Sequence, residues 1–225
     1  MYMSEAFDAI SEPLPERVQA GLSKIALVMR HEAWARDGPR GLTPTQAQVL
    51  ALLKVRGAMR LSAIADELAV KQPTASDAVT ALRRKGLVDK QPAPDDRRAR
   101  SIRLTGAGAA EAAGATDWPN LMRTVVADLP EPEQASLLKS LTRMIRGLQQ
   151  QGAIPVQRMC VTCRYFRPNA HADADAPHHC AYVDAPFGDR HLRLDCPEHA
   201  EADGTLATAN WRRFTTSTHP QEPGS

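Results

Sequence analysis

Cys160, Cys163, Cys180 and Cys196 fall within 37 residues, and they are all the cysteines the chain has. Six of its seven histidines, at positions 171, 178, 179, 191, 199 and 219, also lie beyond residue 158. A Cys-x-x-Cys pair sets two thiolates on one tight turn, the bite that soft metals favour. The other two cysteines stand singly, after intervals of sixteen and then fifteen residues. Three chemistries fit this pattern. A [4Fe–4S] cluster would take all four cysteines, with Tyr165, Phe166, Tyr182 and Phe187 as an apolar shell. Structural Zn2+ would take Cys160-x-x-Cys163 with Cys196-x-x-His199, and His178, His179 or Cys180 as substitutes. Free thiols acting as a redox switch are the third. The two single cysteines favour the cluster over the paired knuckles usual for zinc.

A second set of side chains suits nucleic acid. Between Leu61 and Leu104, Ala75, Ala78, Val79 and Leu82 recur at helical spacing and form an apolar back. The opposite side carries Thr74, Ser76, Asp77, Thr80, Arg83 and Arg84, a mixture of donors, acceptors and positive charge, with Gln72 at its start. That is the layout of a helix that reads a DNA groove. Downstream, Arg97, Arg98 and Arg100 crowd a turn-rich loop. Charge follows the same division. Residues 54–104 hold 12 Lys and Arg against 6 Asp and Glu, whereas residues 155–225 hold 7 against 9. Positive charge is thus concentrated where counterion release would need it.

The surrounding elements must position that helix. Ser62 is read as the cap of a short helix through Leu68, with Ile64, Ala65 and Leu68 inward. Pro73 suits a first helical turn, with Gln72 as the cap, and Gly86 supplies the left-handed stop after Lys85. Leu87-Val88 opens a strand, Pro92, Pro94, Asp95 and Asp96 make turns, and Ser101 to Leu104 returns as a second strand. The result is a winged helix-turn-helix. Upstream, Leu14, Val18, Leu22, Ile25 and Met29 form one apolar helix face up to about Arg36, before Asp37-Gly-Pro-Arg-Gly breaks it. Thr43-Pro-Thr-Gln46 is a capping box with proline at the first helical position. Val49, Leu50 and Leu53 line that helix, and Gly57 ends it. Thr105 caps a further helix, weakened by glycines at 106, 108 and 114. Asp117-Trp-Pro119 marks a break. Leu121, Met122, Val125, Val126 and Leu129 resume an apolar face. Pro130 opens the last long helix, with Leu137, Leu138, Leu141, Met144, Ile145 and Leu148 inward.

The stretch "LAV…TASDAVTALRRKGLVDKQPAPDDRRARSIRLTGAG" resembles the MarR family of bacterial transcriptional regulators, and element lengths extend the likeness over roughly residues 14–150. The resemblance implies a homodimer on double-stranded DNA. The second helix of the motif would enter the major groove and a wing arginine the minor groove. By motif Asp96 would orient the wing and Arg98 would reach the DNA, with Arg97 as the competing assignment. Asp77 departs from the basic or hydroxyl residue common at its place; it can accept from a cytosine amino group but repels phosphate. The first and last helices would interlock with the partner subunit. The cysteine-rich stretch lies outside this pattern. Its ligand spacing is similar to that of high-potential iron–sulfur proteins, and Cys196-Pro197 is similar to the ending of bacterial ferredoxin motifs.

The expected fold is mainly α with a small β-wing, a helical dimerisation region and a small irregular cysteine-rich module. A flexible arm is expected over 1–12, the winged domain over 13–151, the metal-binding module over 156–200 and a flexible tail over 201–225. Gly152 to Pro155 reads as a linker. No signal peptide or membrane span is visible, which places the chain in the cytoplasm, where structural disulfides are not expected. No phosphate loop or supported Ser–His–Asp arrangement points to an enzyme. The expected function is a DNA-binding regulator, a repressor, answering to a small-molecule effector or to its metal site. The alternative is a redox or electron-transfer protein carrying a borrowed winged domain.

Overall fold

The computed structural model describes residues 11–92, 100–115 and 120–216. The architecture is mainly helical with two small antiparallel sheets. Contacts divide the chain into two compact units, Met1–Thr124 and Val125–Ser225. No helix among the described residues is long and apolar enough to cross a membrane.

The first unit opens with α1 (Leu14–Arg40). It runs past the break expected at Asp37 and ends at Gly41, whose φ of +67° supplies the left-handed stop. Three residues of its expected apolar face stay exposed: Leu14 at 63%, Val18 at 49% and Ile25 at 42%. A single chain therefore leaves these three side chains uncovered.

The helix α2 (Pro44–Arg56) starts as its residues dictate. Thr43 and Gln46 exchange side chain and backbone in a complete capping box, with proline in the first turn. Val49, Leu50 and Leu53 are buried. After Gly57 comes β1 (Met59–Arg60), a third strand that sequence periodicity did not reveal, because two residues are too few to alternate. Next is α3 (Leu61–Glu67). Arg60, not Ser62, occupies its cap position, and no side chain caps it, so Ser62 lies inside the first turn. Ile64 and Ala65 still point inward.

The helix α4 (Gln72–Arg84) is followed by β2 (Val88–Pro92) and β3 (Arg100–Leu104). The sheet order is β1-β3-β2, with Met59 and Lys90 on either side of Ile102 and Val88 opposite Leu104. Val88 and Ile102 join Leu50, Ile64, Val79 and Leu82 in one core.

Thr105 caps α5 (Gly106–Ala115) as expected: its hydroxyl accepts from the Gly108 N–H at 3.0 Å and donates to the Gly86 carbonyl at 2.7 Å. Gly108 is more than a weak helix former. A Cβ there would lie 1.8 Å from the Leu87 carbonyl oxygen, whereas one at Gly106 would meet nothing within 4 Å. The clash outweighs the gain in helix propensity of about 1 kcal/mol. Gly108→Ala is expected to destabilise the unit by about 1–3 kcal/mol. Gly106→Ala should not, and thermal melting of both variants checks the contrast. The expected break over Asp117 to Pro119 lies outside the described residues.

The division falls within α6 (Asn120–Ala127). The second unit contains α7 (Glu131–Gln150), a 3-10 turn at Cys160–Thr162, the strands β4 (Phe166–Arg167), β5 (His178–Cys180) and β6 (Ala185–Phe187), and a second 3-10 turn at Asp189–His191. It closes with α8 (Gly204–Thr216). The strands pair in the order β4-β5-β6.

Two expectations change here. Residues 201–216 are not a loose tail: they include α8, whose Phe214 is buried against Met159, Val161, Phe166 and Leu192. The cysteine-rich segment also does not hang from α7 by a linker alone. Leu138 and Ile145 of α7 pack on that same core, and the Gln149 side-chain amide donates to the Met159 sulfur at 3.4 Å. Lys139 forms a 2.9 Å ion pair with Asp189. Leu137, Met144 and Leu148, expected inward, are instead exposed by 38–43%.

Candidate nucleic-acid interface and cysteine pocket

The back of α4 is held by burial, with Ala75 and Leu82 fully covered and Ala78 and Val79 nearly so. Its first residue is Gln72, and the cap position belongs to Lys71, which makes no side-chain cap bond. Gln72 is therefore a first-turn residue rather than the cap expected of it, in keeping with the weak capping ability of so long a side chain.

Its C-terminus is a full Schellman motif. Gly86, at φ +71°, donates to the Arg83 carbonyl, and Leu87 donates to the Leu82 carbonyl. The Lys85 ammonium then reaches across to Gln46 Oε1 at 2.9 Å and to the Gly41 carbonyl, tying this end to the start of α2. Gln46 thus serves both the capping box and the C-terminal end of α4. A pair between Arg56 and Glu67 at 3.2 Å links α2 to α3.

What remains of α4 faces outward. Gln72, Thr74, Asp77, Thr80, Arg83 and Arg84 are exposed, and Ser76 is half-buried beside them. All the helix residues expected to read DNA therefore share the side opposite the core. Arg100 is exposed at the first residue of β3, paired with Pro92. Arg97 and Arg98 lie outside the described residues.

The second unit brings the cysteines together. All four are free thiols, and all four line one pocket of ≈ 270 Å³. The 3-10 turn delivers Cys160 and Cys163, β5 delivers Cys180, and the segment after Leu194 delivers Cys196. The pocket walls include Phe166, Phe187, Tyr165 and Tyr182. The Tyr165 and Tyr182 rings lie 5.5 Å apart and those of Phe166 and Phe187 5.9 Å apart. Burial pushes the Cys160 thiol up to about 11, against the lowering effect of the Arg193 backbone N–H. That N–H donates to Cys160 Sγ at 3.3 Å, and the Arg193 guanidinium donates to Cys196 Sγ at 3.7 Å.

Arg193, His191 and Glu198 also line the pocket and were not singled out from sequence. Arg193 is 33 residues from Cys160, so no local pattern announces their contact. A hydrogen bond to Glu198 raises the Tyr182 phenol above its ordinary value.

The histidines considered as zinc ligands are held elsewhere. His178 is fully buried; its Nδ1 accepts from the Asn169 N–H at 3.2 Å and its Nε2 lies 2.9 Å from Asp189. This places the ring proton on Nε2, and the ring sits among Phe166, Phe187 and Phe214. His179 lies between Asp184 at 3.3 Å and His171 at 3.3 Å. His199 Nε2 is 2.9 Å from the Thr162 hydroxyl. Among the described residues, no three His, Cys, Asp or Glu side chains gather closely enough to hold a single metal ion.

Asp189 joins this network to α7. Burial raises its carboxyl pKa, but hydrogen bonds from His178 and Lys139 outweigh that, and the net pKa lies below the ordinary 3.8. A depressed folded-state pKa stabilises the fold fully above the unfolded value, and the contribution is lost as pH falls through the folded one. The second unit is therefore expected to lose stability as pH drops below about 4, and Asp189→Asn should flatten that dependence. Melting temperature measured against pH for both proteins checks it.

Residues 42–99 match the model of the MarR family. No curated protein matches the chain. Among solved structures, S. aureus MepR in its DNA-binding conformation is similar at 25% identity and a TM-score of 0.54, over 59% of this chain and 98% of that one. Streptococcus pneumoniae FabT in complex with DNA aligns at 21% identity and a TM-score of 0.54, over 60% and 98%. A MepR–DNA complex from S. aureus aligns at 24% identity and 0.52, over 59% and 98%. The fold is that of a MarR-like winged helix.

Proposed function

We propose that the chain is a sequence-specific, DNA-binding transcriptional regulator without catalytic activity, acting as a homodimeric repressor. The observation that carries this reading is the outer face of α4, polar and basic on a helix whose back is sealed into the core. The match of residues 42–99 to the MarR family model and the similarity to S. aureus MepR in its DNA-binding conformation support it.

In this reading Gln72, Thr74, Ser76 and Thr80 meet base edges in the major groove, while Arg83 and Arg84 neutralise phosphates. Asp77 accepts from a cytosine amino group and biases the sequence chosen. Of the wing arginines, Arg98 reaches the minor groove, with Arg97 as the competing assignment, and Arg100 adds positive charge to the DNA-facing side. The exposed apolar face of α1 closes against a second copy. The protein acts in the cytoplasm, and its affinity for DNA answers to a small-molecule effector or to the metal site of the second unit.

Selection from a pool of random duplexes tests the function. A near-palindrome with half-sites about one helical turn apart is expected, since a two-fold dimer presents two readers at that spacing. Failure to enrich any sequence would overturn the reading. On the enriched site, Thr74→Ala and Ser76→Ala should each remove about 1–3 kcal/mol of discrimination at one base pair and leave random-DNA affinity nearly unchanged. Equal losses on both DNAs would move base reading to other residues.

A further inference from the structure

We propose that Cys160, Cys163, Cys180 and Cys196 ligate a [4Fe–4S] cluster seated in the pocket they line. A mononuclear zinc site draws its ligands to a point: at Zn–S distances of about 2.3 Å, four sulfurs lie within about 4 Å of one another. Here the four thiols ring a pocket of ≈ 270 Å³, and no three potential ligands among the described residues converge on one ion. An apolar cavity of about 150 Å³ already accommodates benzene. This pocket is therefore of a size for a polyatomic core rather than a lone cation.

The donor set agrees. The histidines that would complete a zinc knuckle are engaged away from the pocket: His178 by Asn169 and Asp189, His179 by His171 and Asp184, and His199 by Thr162. None of the three lines the cavity, whereas all the cysteines do. The surroundings also suit a cluster, whose thiolate-ligated core carries net negative charge. Hydrogen bonds to ligand sulfur and a hydrophobic shell are the features that tune such a core. Arg193 supplies the first through its N–H to Cys160 Sγ and its guanidinium to Cys196 Sγ. Phe166, Phe187, Tyr165 and Tyr182 supply the second. On ligation each thiol gives its proton to solvent and binds one iron as thiolate, so four protons leave per cluster.

The inference is independent of the DNA-binding reading, because its test contains no DNA. The full chain is purified without oxygen, reconstituted with equal amounts of ferrous and ferric iron and with sulfide, and freed of excess reagents. Iron and acid-labile sulfide are then measured with the visible and Mössbauer spectra. About four irons and four sulfides per chain are expected, with visible absorption that disappears in Cys180→Ala and Cys196→Ala. His199→Gln should keep the full complement. The native stoichiometry decides even if the cysteine variants fail to fold. One zinc per chain without sulfide, two irons with two sulfides, or no metal retained would each overturn the proposal.

Discussion

Val18→Asp combined with Ile25→Asp should convert the protein to a monomer at micromolar concentration and weaken binding to the enriched DNA site by about 100-fold or more. Both side chains are apolar, on one face of α1, and exposed by 49% and 42% in the single chain. Placed in a dimer interface, each aspartate would be a charge removed from water without a partner, and such burial is strongly unfavourable. The loss on DNA follows from geometry. Two readers held together bind more tightly than one alone by about 10²–10⁴. The intrinsic fold should survive, because neither residue belongs to the buried core of the winged unit. Analytical ultracentrifugation and a DNA titration on the same samples check the two effects together. A variant that stays dimeric would place the interface elsewhere. A monomer that binds the site at native affinity would contradict the paired-reader reading.

Loss of the proposed cluster should also reach the DNA. Cys160→Ser and Cys196→Ser are expected to shift affinity for the enriched site by between 5- and 150-fold, a coupling of about 1–3 kcal/mol. Within the second unit, the cysteine segment is packed on α7. Met159, directly before Cys160, is buried and receives the Gln149 amide. Leu138 and Ile145 pack on the core that contains Met159 and Cys163. Asp189 is paired to Lys139, whose ammonium also lies 5.6 Å from the centre of the Phe214 ring. A unit whose cysteines cannot hold the proposed cluster lacks the folding energy that such binding would supply. The packing of α7 is expected to change with it. The measurement is a titration of metal-loaded native protein beside each variant. Variants that lose the metal and bind DNA with native affinity would make the site a structural clip with no part in regulation.

How much of this was readable beforehand depends on the range of the interaction. Signals that close within four or five residues were legible. Thr43 and Gln46 announced their capping box, Gly86 its left-handed stop, Thr105 its cap, and the apolar spacing of Ala75, Ala78, Val79 and Leu82 the buried back of α4. Each depends on helical geometry and on hydrogen bonds between near neighbours in the chain, which residue type and spacing specify. Ser62 and Gln72 lie two and one positions inside the observed caps, because only backbone geometry fixes which residue precedes the first helical turn.

Residue types and spacing alone specified a winged helix whose second helix is polar on its outer side, with four cysteines crowded into the C-terminal part. That these four thiols line one pocket follows from contacts between distant residues. Residues 33 apart meet where Arg193 donates to Cys160, and residues 50 apart where Lys139 pairs with Asp189. Asn210, 44 residues along, donates to the Phe166 carbonyl beneath α8. Only such long-range closures show that His178, His179 and His199 are held away from the pocket, that α8 belongs to the core, and that Gly108 is needed where α5 meets Leu87. Spacing along the chain specifies local turns and faces. Which distant faces meet is set by how the whole apolar surface is removed from water, and that depends on every element at once.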